Sequence, residues 1–173
     1  MKRIALAAGA FLIFSTIAYI PASAQTADLG LINSHGKTVG YATLTEQPSG
    51  VRISLQARKL SPGAHGFHIH AIGKCDPPSF MSAGGHFNPD GKKHGVKNPA
   101  GPHAGDLLNL VAGPDGSAAA EVVVSQVTLG PGKNSLFGRE GSALVIHASP
   151  DDEQSDPAGN AGARIACGVI SAK

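Results

Sequence analysis

The sequence has few aromatic and few charged residues, which narrows what the protein can bind. It contains no tryptophan and two tyrosines, and charged residues make up 15% of the chain. The 14 basic residues outnumber the 12 acidic ones only by the two at the start of the chain, Lys2 and Arg3. The composition therefore excludes the basic, aromatic-rich surface that nucleic acids require, and no nucleic-acid partner is expected.

The distribution of apolar residues after residue 24 also predicts no amphipathic helix. After residue 24, no segment of helical length shows a 3.6-residue periodicity of apolar residues. Turn-forming residues are abundant instead. The 23 glycines and 12 prolines make up about 20% of the sequence, against roughly 12% in an average protein. Because 42% of the 173 residues are hydrophobic, the chain is expected to fold as one domain rich in turns.

The first 24 residues have the pattern of a secretory signal peptide. Lys2 and Arg3 precede an apolar run over 4–20, and three small residues at 22–24 end the segment. The run is slightly short for a membrane span of about 20 residues, so cleavage after Ala24 is favoured over a retained membrane anchor. Export would bring the mature chain, 25–173, into an oxidising compartment. There Cys75 and Cys167 can persist as a disulfide, and the alternative is two reduced thiols in the core.

Several segments are predicted to be β-strands. Residues 51–58 alternate between apolar and polar without interruption, as in a strand with one buried face. Weaker candidates, rich in Val, Ile, Leu and Thr, cover 29–33, 37–45, 65–71, 106–111, 117–124, 142–147 and 164–170. These strands predict an all-β domain, built as an antiparallel sandwich or barrel. Two long segments, 72–102 and 148–163, fit no strand, and loops of this length are usually functional or disordered.

Six of the eight histidines lie between residues 68 and 147, in a pattern that favours a metal site. Residues two apart in a strand share a face, so His68 and His70 can present two imidazoles to one ion. The following segment supplies three more histidines and a carboxylate, a set that could close a tetrahedron around zinc. These residues are His86, His94, His103 and Asp106.

A second ion would have to share a ligand with the first. His68, His70 and His147 suit copper, and His86 could bind copper through one ring nitrogen and zinc through the other. The spacing permits this shared ring without requiring it.

Three other functions stay open on the residues alone: a metal-storage or copper-trafficking module, a zinc hydrolase, and an adhesion domain without chemistry. A zinc hydrolase would keep one position on its zinc open, whereas the four ligands would fill it.

Six motifs, in order, resemble the signature of the copper/zinc superoxide dismutases. They are GFHIH at 66–70, GGHFNP at 84–89, KHG at 93–95, HAGDL at 103–107, VIH at 145–147 and GNAGARIACGVI at 159–170. The match extends from about residue 28 to residue 170. The export signal and the early position of Cys75 resemble the bacterial periplasmic branch of the family. The resemblance implies an eight-stranded antiparallel Greek-key β-barrel with two long functional loops.

The resemblance also implies a role for each candidate residue. Copper would be held by His68, His70, His86 and His147. Zinc would be held by His86, His94, His103 and Asp106. Asp151 would join a copper-ligand histidine to a zinc-ligand histidine by hydrogen bonds, and Arg164 would lie beside copper. Cys75 and Cys167 would form the intrachain disulfide.

The implied reaction converts two superoxide anions and two protons into dioxygen and hydrogen peroxide. Copper would alternate between its two oxidation states, and the ring of His86 would carry a proton to the nascent peroxide. Arg164 would supply a fixed positive charge for the anionic substrate, and an intact Arg164 weighs against a storage function. Lys74, beside Cys75, is a candidate for guiding the substrate. The mature enzyme is expected in the periplasm and free of the membrane, and both a monomer and a homodimer are compatible with the sequence.

Overall fold

The computed structural model describes residues 24–172. The expected signal peptide, 1–24, lies outside this range except for its last residue, Ala24. Among the described residues, no helix is long and apolar enough to cross a membrane.

Within residues 24–172, the regular structure consists of nine strands and one short 3₁₀ helix, Met81–Ala83. The strands are β1 (Thr26–Asn33), β2 (Thr38–Gln47), β3 (Gly50–Ala57), β4 (Gly63–His65), β5 (Phe67–His70), β6 (Leu110–Ala112), β7 (Ala118–Val124), β8 (Ser142–His147) and β9 (Arg164–Ile170).

All nine strands belong to one antiparallel sheet with the order β4-β6-β7-β3-β2-β1-β9-β8-β5. β4 and β5 stand at opposite ends of this order, although only Gly66 separates them in the chain. The sheet therefore curves until its two edges meet, which gives a nearly closed barrel. β1 lies next to β9 and β3 next to β7, the long-range neighbours expected of a Greek key. The predicted fold class is confirmed.

The strand expected at 65–71 is two strands in the structure, which makes nine where eight were predicted. β4 pairs with β6, and β5 pairs with β8. The chain changes partner at Gly66, whose N–H donates to Ser149 O and whose carbonyl oxygen accepts from the His147 N–H, both at 2.8 Å. A Cβ at position 66 would come within 2.7 Å of the Cβ of Ala161. The close crossing of these backbones therefore requires glycine.

The alternating residues of β3 form part of the barrel core, as predicted. Val51, Ile53, Leu55 and Ala57 are each no more than 2% exposed, and burying a Val, Ile or Leu side chain stabilises a fold by about 1.5–3 kcal/mol. The strands expected at 142–147 and 164–170 have these bounds, whereas the strand expected at 106–111 is reduced to β6. Residues 106–109 belong instead to the site described below.

Three long segments leave the barrel: 71–109 between β5 and β6, 125–141 between β7 and β8, and 148–163 between β8 and β9. Cys75 and Cys167 form a disulfide that fastens the first segment to β9, so the expected pairing is confirmed. The fully buried ring of Phe80 anchors the same segment in a small apolar cluster with Ala83, Ala143, Val145 and Cys167. The segment 71–109 is thereby fastened to the barrel and can carry a rigid site.

Candidate metal centre

The barrel strands place three histidines side by side. His68 and His70 lie on β5, and His147 is the last residue of β8, the strand paired with β5. The side chains of all three are buried. The ring of His147 is 4.9 Å from that of His68 and 5.6 Å from that of His70, measured between centroids. Neighbouring strands thus bring together residues that are almost 80 positions apart in sequence.

The long segment 71–109 is pinned to β5 by main-chain hydrogen bonds. Ile69 donates to Gly105 O at 2.9 Å and accepts from the Phe87 N–H at 2.8 Å. A Cβ on Gly105 would collide with Ile69 O, so the close approach of the two backbones depends on glycine. These contacts bring the segment's metal-ligand candidates against His68 and His70, with Asp106 opposite His68 and His86 opposite His70.

The predicted ligand sets are both present as compact groups. In each group, every residue offers a ligand atom, and these atoms all lie within 4.8 Å of one another. The first group is His68, His70, His86 and His147. The second group is His86, His94, His103 and Asp106. His86 belongs to both, so the structure brings together all seven residues around one shared ring.

In the first group, hydrogen bonds fix which ring nitrogen faces inward. His70 Nδ1 lies 2.9 Å from Gly84 O, and His147 Nδ1 lies 3.2 Å from Gly162 O. A carbonyl oxygen can only accept, so both Nδ1 atoms donate and both Nε2 atoms carry lone pairs. These two Nε2 atoms face each other at 3.4 Å. Two lone pairs at this distance repel each other unless a cation or a proton lies between them.

The two remaining nitrogens of the first group are buried and unpaired. His68 Nε2 donates to Asp151 at 2.6 Å, and His86 Nδ1 lies 2.8 Å from Asp106 Oδ1. Their other nitrogens, His68 Nδ1 and His86 Nε2, are buried without a hydrogen-bond partner among the described residues. Buried polar atoms are rarely left unsatisfied in proteins. Four inward lone pairs therefore fit a metal that prefers imidazole, as copper does.

The second group is arranged around one carboxylate oxygen. The Nδ1 atoms of His86, His94 and His103 lie 2.8, 3.1 and 3.3 Å from Asp106 Oδ1. The other oxygen, Oδ2, accepts from the main-chain N–H groups of Gly95 and His103, which holds the carboxylate in place. Three imidazole nitrogens and one carboxylate oxygen are a ligand set that zinc takes in tetrahedral geometry.

Asp151 connects the two groups through its carboxylate. It accepts from His68 Nε2 at 2.6 Å and from His94 Nε2 at 3.0 Å. A neutral ring donates through one nitrogen only, so His94 directs an Nδ1 lone pair at Asp106 when it donates to Asp151. A cation at Nδ1 removes this conflict. Carboxylate contacts of this kind orient metal-ligating histidines and make them better ligands.

Burial keeps three rings of the first group neutral, those of His68, His70 and His147. From an ordinary value of 6.5, burial lowers the pKa of His68 to about 4, against the opposing hydrogen bond to Asp151. Burial likewise lowers the pKa of His147 to about 3 and that of His70 to about 2. All three rings are thus unprotonated at pH 7, which is the form that binds metal ions.

The two carboxylates stay charged for a different reason. Burial alone would raise the pKa of Asp106, but hydrogen bonds from His86 and from the Gly95 N–H bring it below its ordinary value. Burial would also raise the pKa of Asp151, but hydrogen bonds from His68 and His94 lower it. The site therefore combines neutral imidazoles with two fixed negative charges, which favours divalent cations.

Arg164 lies at the edge of the first group, where β9 begins opposite His147. Its guanidinium donates to Phe80 O at 2.7 Å and to Gly84 O at 2.6 Å. Burial lowers the pKa of Arg164, yet a guanidinium stays charged at any physiological pH. Its charge contributes to the lowered pKa values of His70 and His147. Lys74 is exposed, and no hydrogen bond or ion pair joins its side chain to the described residues.

The structure also reveals partners that the sequence did not suggest. The Gly84 and Gly162 carbonyl oxygens set the orientation of His70 and His147, and main-chain acceptors carry no sequence signal. Asn109 holds the main chain of Asp151 by two hydrogen bonds. Asn109 follows Asp106 by three residues, just as Asp106 follows His103. This spacing does not indicate that Asn109 contacts Asp151.

These features define a class of protein: an antiparallel β-barrel with a buried histidine site for two metal ions. A family model described as copper/zinc superoxide dismutase (SODC) matches residues 38–170. Cu-Zn superoxide dismutase 2 of Aquifex aeolicus is 58% identical over 142 residues, which cover 81% of this chain and 83% of that protein. Cu-Zn superoxide dismutase of Caulobacter vibrioides is 44% identical over 138 residues, covering 78% and 79%. The chain belongs to the copper/zinc superoxide dismutase family.

Solved structures agree with this assignment. The crystal structure of a SOD-like protein from Bacillus subtilis has a TM-score of 0.80 and 42% sequence identity, covering 83% of this chain and 97% of that one. The Cu/Zn superoxide dismutase from Brucella abortus has a TM-score of 0.70 and 30% identity, covering 85% and 100%. Family membership makes the chain an oxidoreductase with copper and zinc as cofactors and superoxide as substrate.

Proposed function

We propose that the protein removes superoxide in the periplasm by copper redox chemistry at a copper/zinc site that His86 bridges. Copper would be held by His68, His70, His86 and His147, whose ligand atoms lie within 4.8 Å of one another. Zinc would be held by His86, His94, His103 and Asp106, which are grouped as closely. The observation that carries the proposal is the membership of His86 in both groups, with Nδ1 toward Asp106 and an unpaired Nε2 in the copper group.

The chain's own residues supply binding, charge and a proton to the reaction. When bound, copper supplies one-electron chemistry by alternating between two oxidation states, and zinc has no redox chemistry of its own. Whenever its Nε2 is free of metal, His86 would accept a proton there and deliver it to the reduced substrate. Arg164 attracts the anion and holds it by hydrogen bonds, because its fork of donors stays charged and is fixed by two main-chain carbonyls.

The other functions considered account for fewer of these features. A storage or trafficking module has no use for the partly buried, doubly hydrogen-bonded charge of Arg164 beside the copper group. A zinc hydrolase would need an open zinc position, whereas the zinc group offers four ligands. An adhesion domain would not require seven metal-ligand candidates around one ring.

The proposal includes export and the processing that goes with it. Cleavage after Ala24 would release a mature domain, 25–173, into the periplasm, where it stays off the membrane. Mass spectrometry of the protein recovered from a periplasmic extract should give an N-terminus at Gln25. Sedimentation equilibrium should then distinguish one chain from two, since the family resemblance is compatible with a homodimer.

Metal analysis combined with an activity assay tests the central claim. The purified mature protein should contain one copper and one zinc per chain, and should lose superoxide consumption when copper alone is removed and regain it on reloading. Activity that survives copper removal would contradict the proposal. His86→Gln should abolish turnover, whereas the same change at the exposed His35 should have no effect.

The shared ring has its own spectroscopic test. With Cu²⁺ in one group and Co²⁺ in the other, an imidazolate at His86 couples the two unpaired spin systems, so the Cu²⁺ electron paramagnetic resonance signal should disappear. An undiminished signal with both sites filled would show that His86 does not bridge.

A further inference from the structure

Asn109 holds the main chain of Asp151 from both sides. Asn109 Nδ2 donates to Asp151 O at 2.8 Å, and the Asp151 N–H donates to Asn109 Oδ1 at 2.7 Å. One side-chain amide therefore satisfies both main-chain groups of Asp151, as a neighbouring strand would. The amide is partly buried, which protects these bonds from competition with water.

The main chain of Asp151 needs such a partner because it lies in the segment 148–163, which contains no strand. Elsewhere in this segment, main-chain groups bond within the segment, as from Asp152 N–H to Gly159 O at 2.9 Å, or accept from distant residues, as Glu153 O does from the Lys97 N–H at 2.9 Å. Asp151 differs because a single side chain meets both its N–H and its carbonyl oxygen. Only a correctly placed Asp151 can reach both His68 Nε2 and His94 Nε2, at 2.6 and 3.0 Å. A shift of about 1 Å would exceed hydrogen-bond length on one side.

We propose that Asn109 is a positioning residue for both metal sites: it fixes the main chain of Asp151 so that the carboxylate spans His68 and His94. This inference rests on the proposed assignment of His68 to copper and His94 to zinc. His103, Asp106 and Asn109 then act together, because one short segment supplies two zinc ligands and the support for the residue that joins the two sites.

Two substitutions at Asn109 test the inference. Asn109→Asp keeps the shape but removes the donor to Asp151 O, and Asn109→Ala removes both bonds without adding a charge. Asn134→Asp is the matched control, because Asn134 Nδ2 also donates to a main-chain carbonyl, Gln126 O, at 2.7 Å. None of the hydrogen bonds of Asn134 or Gln126 involves a residue of the two metal groups.

The first measurement is zinc affinity, obtained by competition with a chelator. Loss of a group that supports a metal ligand typically weakens metal affinity by about 10- to 100-fold, and a loss in this range is expected for both Asn109 variants. Asn134→Asp should lower thermal stability while zinc affinity stays within about twofold. A merely structural role for Asn109 would instead lower stability and leave zinc affinity unchanged, as in the control.

The second measurement is hydrogen exchange of the Asp151 amide in the metal-free protein, followed by NMR. Asn109→Ala should exchange this amide faster, by about 10-fold or more, because its acceptor is removed, whereas Asn109→Asp keeps an acceptor for it and loses only the donor to Asp151 O. Unchanged zinc affinity in both variants, with the Asp151 amide of Asn109→Ala exposed to exchange, would overturn the inference. Neither zinc affinity nor amide exchange depends on superoxide turnover. Failure of the proposed function would therefore be seen in a different experiment, as copper-loaded wild type that does not consume superoxide.

Discussion

Arg164 and His70 share one hydrogen-bond acceptor, the carbonyl oxygen of Gly84. Arg164 donates to it at 2.6 Å, and His70 Nδ1 donates to it at 2.9 Å. A single peptide group therefore fixes the distance between the arginine charge and a proposed copper ligand. Because the second guanidinium contact is Phe80 O in the same segment, the position of Arg164 depends on how the segment 71–84 is held.

Removing the charge of Arg164 should slow the enzyme without removing its metals. Electrostatic steering raises association rates by about 10- to 1,000-fold, and superoxide dismutases are a well-known example. We expect the effect of the Arg164 charge on kcat/KM to fall in this general range. Arg164→Gln should lower kcat/KM by about 10-fold or more at low ionic strength with unchanged copper and zinc content. Arg164→Lys keeps the charge but not the fork, so its kcat/KM should be intermediate. A Gln variant as fast as wild type would exclude Arg164 from substrate capture.

Lys74 is the second charge whose effect on the substrate can be measured. It is exposed and precedes Cys75, which is tied to β9. If Lys74 guides superoxide, Lys74→Gln and Lys74→Glu should lower log(kcat/KM) in a graded series at low ionic strength. The differences should vanish near 1 M salt, where the screening length is about 3 Å. Equal rates for all three proteins at low ionic strength would remove Lys74 from the steering argument.

Spacing in the sequence was sufficient to place His68 and His70 on one face, but it did not identify the residues that support the ligand candidates. His68 and His70 share a face because they are two apart in a strand, and that relationship is local. Asn109 and Asp151, by contrast, are 42 positions apart in sequence and meet only in the folded chain. No periodicity encodes such a contact.

The strand pattern shows the same limit. Alternation at 51–58 predicted the buried face of β3 because burial depends on each residue's own side chain. The division of 65–71 into β4 and β5 depends on the crossing of Gly66 with Ser149 and His147, which are more than 80 positions away. Predictions therefore succeeded where the determinant is local and missed what a distant backbone imposes.

Gly159 should be essential for the carboxylate bridge between Asp151 and His94. A Cβ at this position would overlap the Asp151 carboxylate and lie 2.7 Å from His94 Nε2. Gly159→Ala should therefore weaken zinc binding by about 10-fold or more, since it displaces the group that orients His94. The measurement is chelator competition on the folded variant.

Gly36→Ala is the matched control for this substitution. Gly36 has φ 71°, close to the 61° of Gly159, and a Cβ there would meet nothing within 4 Å. Both variants pay the cost of alanine in the left-handed region, about 1–2 kcal/mol, but Gly36→Ala should keep its zinc affinity. Equal zinc affinities for the two variants would refute the role given to Gly159.

The metal-free protein should lose stability as pH falls below about 6.5. Burial holds the pKa values of His68, His147 and His70 near 4, 3 and 2 in the folded state, whereas the unfolded chain protonates them near 6.5. The unfolded state thus binds more protons, and each histidine lowers the free energy of unfolding by about 1 kcal/mol per pH unit down to its folded pKa.

Urea unfolding of metal-free protein between pH 7 and pH 4.5 measures this slope. The depressed pKa values of Asp106 and Asp151 act mainly below about pH 5, where unfolded carboxylates with pKa values of about 3.9 begin to protonate. The slope between pH 7 and pH 5 therefore reports on the histidines. Metal-loaded protein should show a slope at least as steep, because bound metals also keep the ligand histidines unprotonated in the folded state, whereas the unfolded chain still protonates them. A flat profile for the metal-free protein would show that the rings are not buried in their neutral form.

Breaking the disulfide should affect stability and Arg164 together. Cys75 and Cys167 close a loop with a sequence separation of 92, and the chain-entropy model gives about 4 to 5 kcal/mol of stabilisation for such a loop, although that mechanism is model-dependent. The double variant Cys75→Ala/Cys167→Ala should lower the unfolding free energy by an amount of this order. Because Phe80 and Gly84, the acceptors of Arg164, belong to the segment that the disulfide fastens, kcat/KM should also fall while the folded variant retains its copper. Wild type treated with a reductant should reproduce both effects, and a reduced protein with full kcat/KM would show that packing of Phe80 alone holds the arginine in place.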